Sequence, residues 1–232
     1  MSRTITIVNS QGGVGKTTTA VGLSRALARN NNKVLLVDVD PLTTLNQRLG
    51  APPAQRPTVY ECLMGESRAA DCIAGTAWGV DLMPATVELV KFEAEGLNLD
   101  RRDTRLRQVL SADADIQMHY DYIIVDTPAS MGLLTVNALA AAHEVIIPIR
   151  CNYFASNGLA SLLAMIGRVR QQLNPQLELR GLLLTHVDTE LRAWQRNLDE
   201  ITKVYADTLL PIPIVEGDGL DECYTELANK LY

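Results

Sequence analysis

The feature that most constrains this chain is Asn9-Ser10-Gln11-Gly12-Gly13-Val14-Gly15-Lys16-Thr17-Thr18, set between the strand-like run Thr4–Val8 and the helix-prone stretch Thr18–Ala28. A loop of small residues ending in Gly-Lys-Thr, between a strand and a helix, is a phosphate cradle. Its glycines let backbone N–H groups close around an anion without Cβ clashes, and the next helix adds its positive N-terminus. Gln11, Gly12, Gly13, Val14, Gly15, Lys16, Thr17 and Thr18 are therefore the expected nucleotide-binding residues. Lys16 would reach the β- and γ-phosphates, and the Thr17 hydroxyl would ligate Mg²⁺.

Two more segments carry matching chemistry. Leu35-Leu36-Val37-Asp38-Val39-Asp40-Pro41 ends an apolar run with two carboxylates two residues apart. In an extended chain that spacing puts both on one side, at the strand's carboxyl end, where parallel α/β sheets bind ligands. Asp40 could orient or deprotonate an attacking water, with Asp38 beside the metal; a pair of turn-capping aspartates is the alternative. Tyr122-Ile123-Ile124-Val125-Asp126-Thr127-Pro128 is a second apolar run ending in an aspartate, the Walker B arrangement, in which Asp126 holds Mg²⁺ through water.

The rest of the chain alternates β-branched runs with helical stretches, which predicts a mostly parallel, twisted α/β sheet with helices on both faces. Strands are expected at Thr4–Val8, Lys33–Asp38, Val80–Met83, Tyr122–Asp126, Glu144–Ile149 and Leu179–His186. Helices are expected at Thr17–Arg29, Val87–Glu95, Arg101–Ala112, Leu133–Ala142, Ala155–Gln172, Leu191–Ala206 and Leu220–Leu231, with Pro52, Pro53 and Pro57 marking a loop. No repeat or linker divides residues 1–232, so one domain is expected. The net charge of −6 argues against a generally basic surface without excluding a local basic patch. Cys62, Cys72, Cys151 and Cys223 lack Cys-x-x-Cys spacing, so neither a disulfide framework nor a zinc site is expected, and His119, His143 and His186 are isolated. No signal segment or apolar run of transmembrane length stands out, and a cytoplasmic protein is expected.

The three motifs, in this order and spacing, resemble the ParA/Soj branch of the ParA/MinD deviant Walker A ATPases, whose P-loop has adjacent glycines like Gly12 and Gly13. The likeness extends through Ala129–Leu139, Glu144–Leu163 and Gly181–Asp188, covering roughly residues 1–206. It implies ATP and Mg²⁺ as ligands, with Lys16, Asp40 and Asp126 catalytic and Thr17, Asp38 and Asp126 at the metal. It also implies an ATP-dependent sandwich homodimer that binds DNA nonspecifically near the nucleoid. An adaptor protein would stimulate hydrolysis, releasing a dimer that segregates or positions a plasmid, chromosome or organelle. Other users of the scaffold are ATP-dependent enzymes, metal-cluster assembly factors and regulators that hold ATP without turnover.

Three departures stand out. Position 11, lysine in most relatives, is Gln11, as in some carboxysome-positioning (McdA-like) members that lack this lysine; Arg150 is the candidate replacement acting in trans. Leu42-Thr43-Thr44 stands where relatives usually have Gln-Gly-Asn, and the segment after Leu210–Ile214 is shorter than theirs, leaving Pro211–Val215, Pro211 and Pro213 among them, as the candidate neighbours of adenine. For DNA, Arg192, Arg196 and Lys203 fall on one side of an expected helix, although Asp199 and Glu200 interrupt the patch. Membrane binding is not expected, because the last helix is acidic where MinD-type relatives are basic.

Overall fold

The computed structural model describes residues 2–42, 45–51, 54–150, 156–187, 192–215, 217 and 219–231, with side chains omitted at 97, 115, 156, 157, 192–197 and 200. Seven strands are β1 (Arg3–Ile7), β2 (Val34–Asp38), β3 (Ala74–Gly75), β4 (Asp81–Met83), β5 (Tyr122–Asp126), β6 (Glu144–Arg150) and β7 (Glu178–Thr185). They form one sheet in the order β3-β4-β2-β5-β1-β6-β7, parallel except for β3 against β4. Every residue of β2 and β5 is buried, which is why both read as unbroken apolar runs instead of alternating.

The helices, in chain order, are α1 (Lys16–Arg29), α2 (Leu45–Arg48), α3 (Val59–Met64), α4 (Leu89–Glu95), α5 (Arg105–Ala112), α6 (Ala114–His119), α7 (Leu133–Ala141), α8 (Ser156–Gln172), α9 (Arg192–Tyr205) and α10 (Leu220–Lys230). The expected strands and long helices are present with ends shifted by a few residues. The expected Arg101–Ala112 helix is split, a 3₁₀ turn at Arg102–Thr104 preceding α5. Not anticipated were β3, α2, α3 and α6, all short and held by tertiary packing more than by their own periodicity. α3 is fixed locally by a capping box, in which the Glu61 carboxylate accepts from the Thr58 N–H while the Thr58 hydroxyl caps the helix.

Apolar clusters fill both faces of the sheet. One buries α1 and α10 with β1, β2 and β5; others bury α3 to α5 and α7, or α8. Buried polar groups are tied down: Asn137 accepts from the Leu106 N–H and donates to the Arg102 and Leu133 carbonyls. His143 accepts the Thr4 N–H at 2.9 Å, a structural duty for one of the isolated histidines. The sequence spacing does not show that Cys62 and Cys72 meet, yet both buried thiols lie 3.4–3.5 Å from the Arg68 carbonyl oxygen. Cys151 lies outside the described residues.

The α10–α1 contact is unusually close. The Tyr224 ring lies directly on Gly22, where a Cβ would stand only 2.2 Å from Cδ2. The Tyr224 phenol shares a 3.1 Å hydrogen bond with the Thr19 hydroxyl, and Asp221 accepts from Arg29 at 2.7 Å. Tyr224, Leu227 and Ala228 are all buried, so the apolar face of α10 belongs to the core. Among the described residues no helix is long and apolar enough to cross a membrane.

Candidate nucleotide site

β1 lies between β5 and β6, and β5 lies between β1 and β2, so their carboxyl ends gather at one edge. Asp126 is the register partner of both Ile7 and Asp38, which brings the two motif aspartates side by side next to the start of the loop. The loop itself is pinned from below. Asn9 donates to the Pro148 carbonyl at 2.8 Å and accepts the Gln11 N–H at 2.9 Å. The Thr185 hydroxyl lies 2.9 Å from the Val14 carbonyl and 3.1 Å from that of Ile149, so one proton serves both.

Gly13 and Gly15 have φ of 71° and 86°, a left-handed backbone that explains glycine at both places. The first intrahelical bond seen here runs from Thr19 N–H to the Gly15 carbonyl. The N–H groups of Lys16, Thr17 and Thr18 therefore stand before the helical ladder begins, at the positive end of α1. Lys16, 7 % exposed, donates to the Gln11 carbonyl at 3.1 Å. Burial lowers its pKa, while the charges of Asp126 and Asp40 hold the ammonium form in place.

The carboxylates are strained electrostatically. Burial pushes the Asp126 carboxyl up to about 7; Asp40 adds to the rise, and the Thr17 hydroxyl, Lys16 and the Thr127 N–H oppose it. Burial also raises Asp38 well above the usual range, reinforced by Asp126 and opposed by the Asp40 N–H, which donates to Asp38 Oδ1 at 2.9 Å. Asp38 Oδ2 and Asp126 Oδ1 are buried acceptors with no hydrogen-bond partner. Two orphaned carboxylate oxygens beside a threonine hydroxyl are the donor set a hard divalent cation takes, so these residues fit magnesium. Asp40 sits half-exposed at the mouth, its Oδ1 accepting the Leu42 N–H at 3.0 Å.

A pH experiment reads this strain directly. The folded-state value of Asp126 stands above the unfolded one, so ionisation opposes folding. Stability from the protonated form is complete below about pH 4 and is lost as pH rises through about 7. In protein stripped of nucleotide and magnesium, the stability advantage of Asp126→Asn over wild type should grow across that window. It should reach on the order of 2–4 kcal/mol at pH 8 in urea unfolding. A constant difference from pH 4 to 8 would show that Asp126 is not held protonated by burial.

Beside the loop, a cavity of about 200 Å³ is lined by Gly15, Thr18, Thr185, His186, Ile214, Val215, Gly217, Leu220 and Tyr224. Of the segment Pro211–Val215 expected beside a base, Ile214 and Val215 line it and Pro211 and Pro213 do not. The segment runs along β7, with Leu210 and Ile214 donating to the Leu182 and Leu184 carbonyls, so only Ile214 and Val215 reach past the strand's end. Sequence reasoning also missed His186, held at φ 52°, and Tyr224, which is 205 positions from the Thr19 it touches. No local pattern links residues so far apart.

Arg150, at the end of β6, meets the loop of its own chain: its Nη1 is 3.9 Å from where a Gly13 Cβ would stand, and its Nε is buried without a partner. The adjacency of β6 and β1 produces this contact within one chain. Of the expected DNA-contacting residues, Lys203 is exposed on α9, and the Arg192 and Arg196 side chains lie outside the described set. Thr43 and Thr44, in the segment that differs from relatives, are also outside it.

A central parallel strand, a glycine cradle, a helix and paired aspartates at one sheet edge define a P-loop NTPase. The AAA domain family model matches residues 2–179. The chain is 38 % identical over 224 residues to the sporulation initiation inhibitor protein Soj of Bacillus subtilis, spanning 96 % of this chain and 87 % of that protein. It belongs to the ParA/Soj family. Among solved structures, cobyrinic acid a,c-diamide synthase from Mycobacterium smegmatis, holding ADP and magnesium, matches at TM-score 0.91 and 35 % identity, over 100 % of this chain and 94 % of that one. The ATP complex of Cyanothece McdA matches at TM-score 0.83 over 97 % and 87 % of the two chains; at 21 % identity that likeness is of fold alone.

Proposed function

We propose that this chain is an ATPase that alternates between ATP and ADP forms to segregate or position a cargo on DNA. The observation that carries the reading is the meeting of Lys16, Thr17, Asp38, Asp40 and Asp126 at one sheet edge around the loop. Thr17, Asp126 and Asp38 would hold magnesium, whose charge offsets that of the phosphates. Lys16 would sit against the β- and γ-phosphates, positioned by the Gln11 carbonyl. Asp40 would orient the attacking water and take its proton as the water oxygen bonds to the γ-phosphorus and ADP departs. Its place at the mouth, with one oxygen anchored by Leu42, suits that task.

Gln11 can hydrogen-bond to a phosphate but cannot neutralise it; Arg150 at Gly13 would supply the missing positive charge. ATP would favour a homodimer, and hydrolysis would return monomers, making turnover slow until an adaptor protein accelerates it. Arg192, Arg196 and Lys203 would make the nonspecific DNA contacts, and Ile214 and Val215 would face the adenine. The protein would then work in the cytoplasm on the nucleoid.

Retention on nonspecific duplex DNA at low salt tests the reading. Retention is expected with ATP and magnesium, with little in ADP or without nucleotide, and it should fall steeply as salt rises. Equal behaviour in all three states would sink the DNA switch and leave the nucleotide site standing. A second reading, an ATP-dependent enzyme, is favoured by the likeness to the M. smegmatis synthase. It predicts turnover stimulated by a small-molecule substrate and indifferent to DNA.

A further inference from the structure

Arg48, at the end of α2, belongs to none of the motifs, yet its Nη1 donates to the Thr18 hydroxyl at 3.2 Å. Thr18 lines the cavity beside the loop, and the Arg48 charge also acts on the Tyr224 phenol, another residue of its lining. Among the described residues no carboxylate pairs with Arg48, and the first turn of α1 contains no acidic residue. A cation placed at the positive end of a helix, close to Lys16, is electrostatically unfavourable by itself. An anion at the same end reverses the sign, because it attracts the guanidinium, the ammonium and the helix N–H groups together.

The position along α1 says which part of that anion is involved. On the nucleotide-site reading Lys16 serves the β- and γ-phosphates, and Thr18, two residues further into the helix, lines the cavity where the nucleoside would sit. We propose that Arg48 is a phosphate-binding residue of this site, contacting the α-phosphate of the bound nucleotide. The proposal rests on the nucleotide-site reading and adds a residue to it. Arg48 and Arg150 then divide the work, one at the nucleoside end of the phosphate chain and the other at Gly13.

Equilibrium binding of ATP, ADP and adenosine with magnesium, to wild type and to Arg48→Gln, tests this. Glutamine removes the charge and shortens the side chain, which is exposed, so folding should be unaffected by circular dichroism. Because ATP and ADP both carry an α-phosphate, both should weaken alike, by about tenfold. Adenosine affinity should stay unchanged, and Arg48→Lys should recover part of the loss. Affinities for ATP and ADP within twofold of wild type would overturn the proposal while leaving the nucleotide site intact. Weakening of ATP alone would place the contact at the γ-phosphate and also overturn it, as would an equal loss for adenosine, which would indicate a change in pocket shape. A wild type that binds none of the three would instead sink the underlying reading.

Discussion

Asp40→Ala is expected to slow ATP hydrolysis by about 10²- to 10⁴-fold while leaving ATP affinity close to that of wild type. The asymmetry follows from position. Lys16 and Asp126 are buried in or against the cradle, whereas Asp40 is half-exposed at its mouth and acts on Lys16 and Asp126 through charge. In a switch driven by hydrolysis, the variant should stay on DNA with ATP long after wild type has left. Asp40→Asn sharpens the test because it keeps an acceptor for the Leu42 N–H and loses the base. If Asn restores full turnover, the residue only shapes the turn. If both variants are equally slow, the carboxylate is acting on water. Single-turnover phosphate release, with ATP binding measured separately, distinguishes these outcomes.

Gly22→Ala should cost about 3 kcal/mol or more of stability, although alanine in place of a mid-helix glycine ordinarily adds about 1 kcal/mol. The sign is reversed because the new Cβ would meet three ring carbons of Tyr224 at 2.2, 2.4 and 2.7 Å, and with Cγ among them the buried ring can yield only by moving as a whole. Either the ring leaves, vacating the wall of the cavity and its bond to Thr19, or α10 lifts from α1. Tyr224→Ala alone should cost about 3–5 kcal/mol. In the double variant the clash is gone, so the two losses should fall short of additivity by more than about 1 kcal/mol in urea unfolding. Strict additivity would mean that the two residues do not share this contact.

The parts legible in the sequence were those where local pattern and global position coincide. Tyr122–Asp126 and Leu35–Asp38 are buried on both faces, so their apolar runs reported strands and their terminal aspartates reported the ligand edge. The loop was readable because its glycines answer backbone requirements that only glycine meets cheaply. What stayed hidden depends on contacts between distant segments. Tyr224 and Arg48 reach Thr19 and Thr18 from separate helices, and nothing in either helix's own periodicity points at α1. Arg150 was noticed for its charge, but its destination needed the neighbourhood of β6 and β1. Within the expected Pro211–Val215 segment, which residues line the cavity needed the fold, because the strip's alignment along β7 is set by bridges at Leu209 and Val215, not by local residue chemistry.

The margins of the sheet carry a consequence for how copies of this protein can associate. On one side β3 is only two residues long and antiparallel; on the other, the Leu209–Val215 strip occupies the Leu182 and Leu184 carbonyls of the second half of β7. Neither margin offers the long row of open backbone groups on which a foreign strand can grow. Among the described residues, strand addition is thus a poor route to filaments or to amyloid-like stacking from the native state. Any association of copies would then use helices and loops, and in a nucleotide-driven switch those are contacts that a bound nucleotide could make or break.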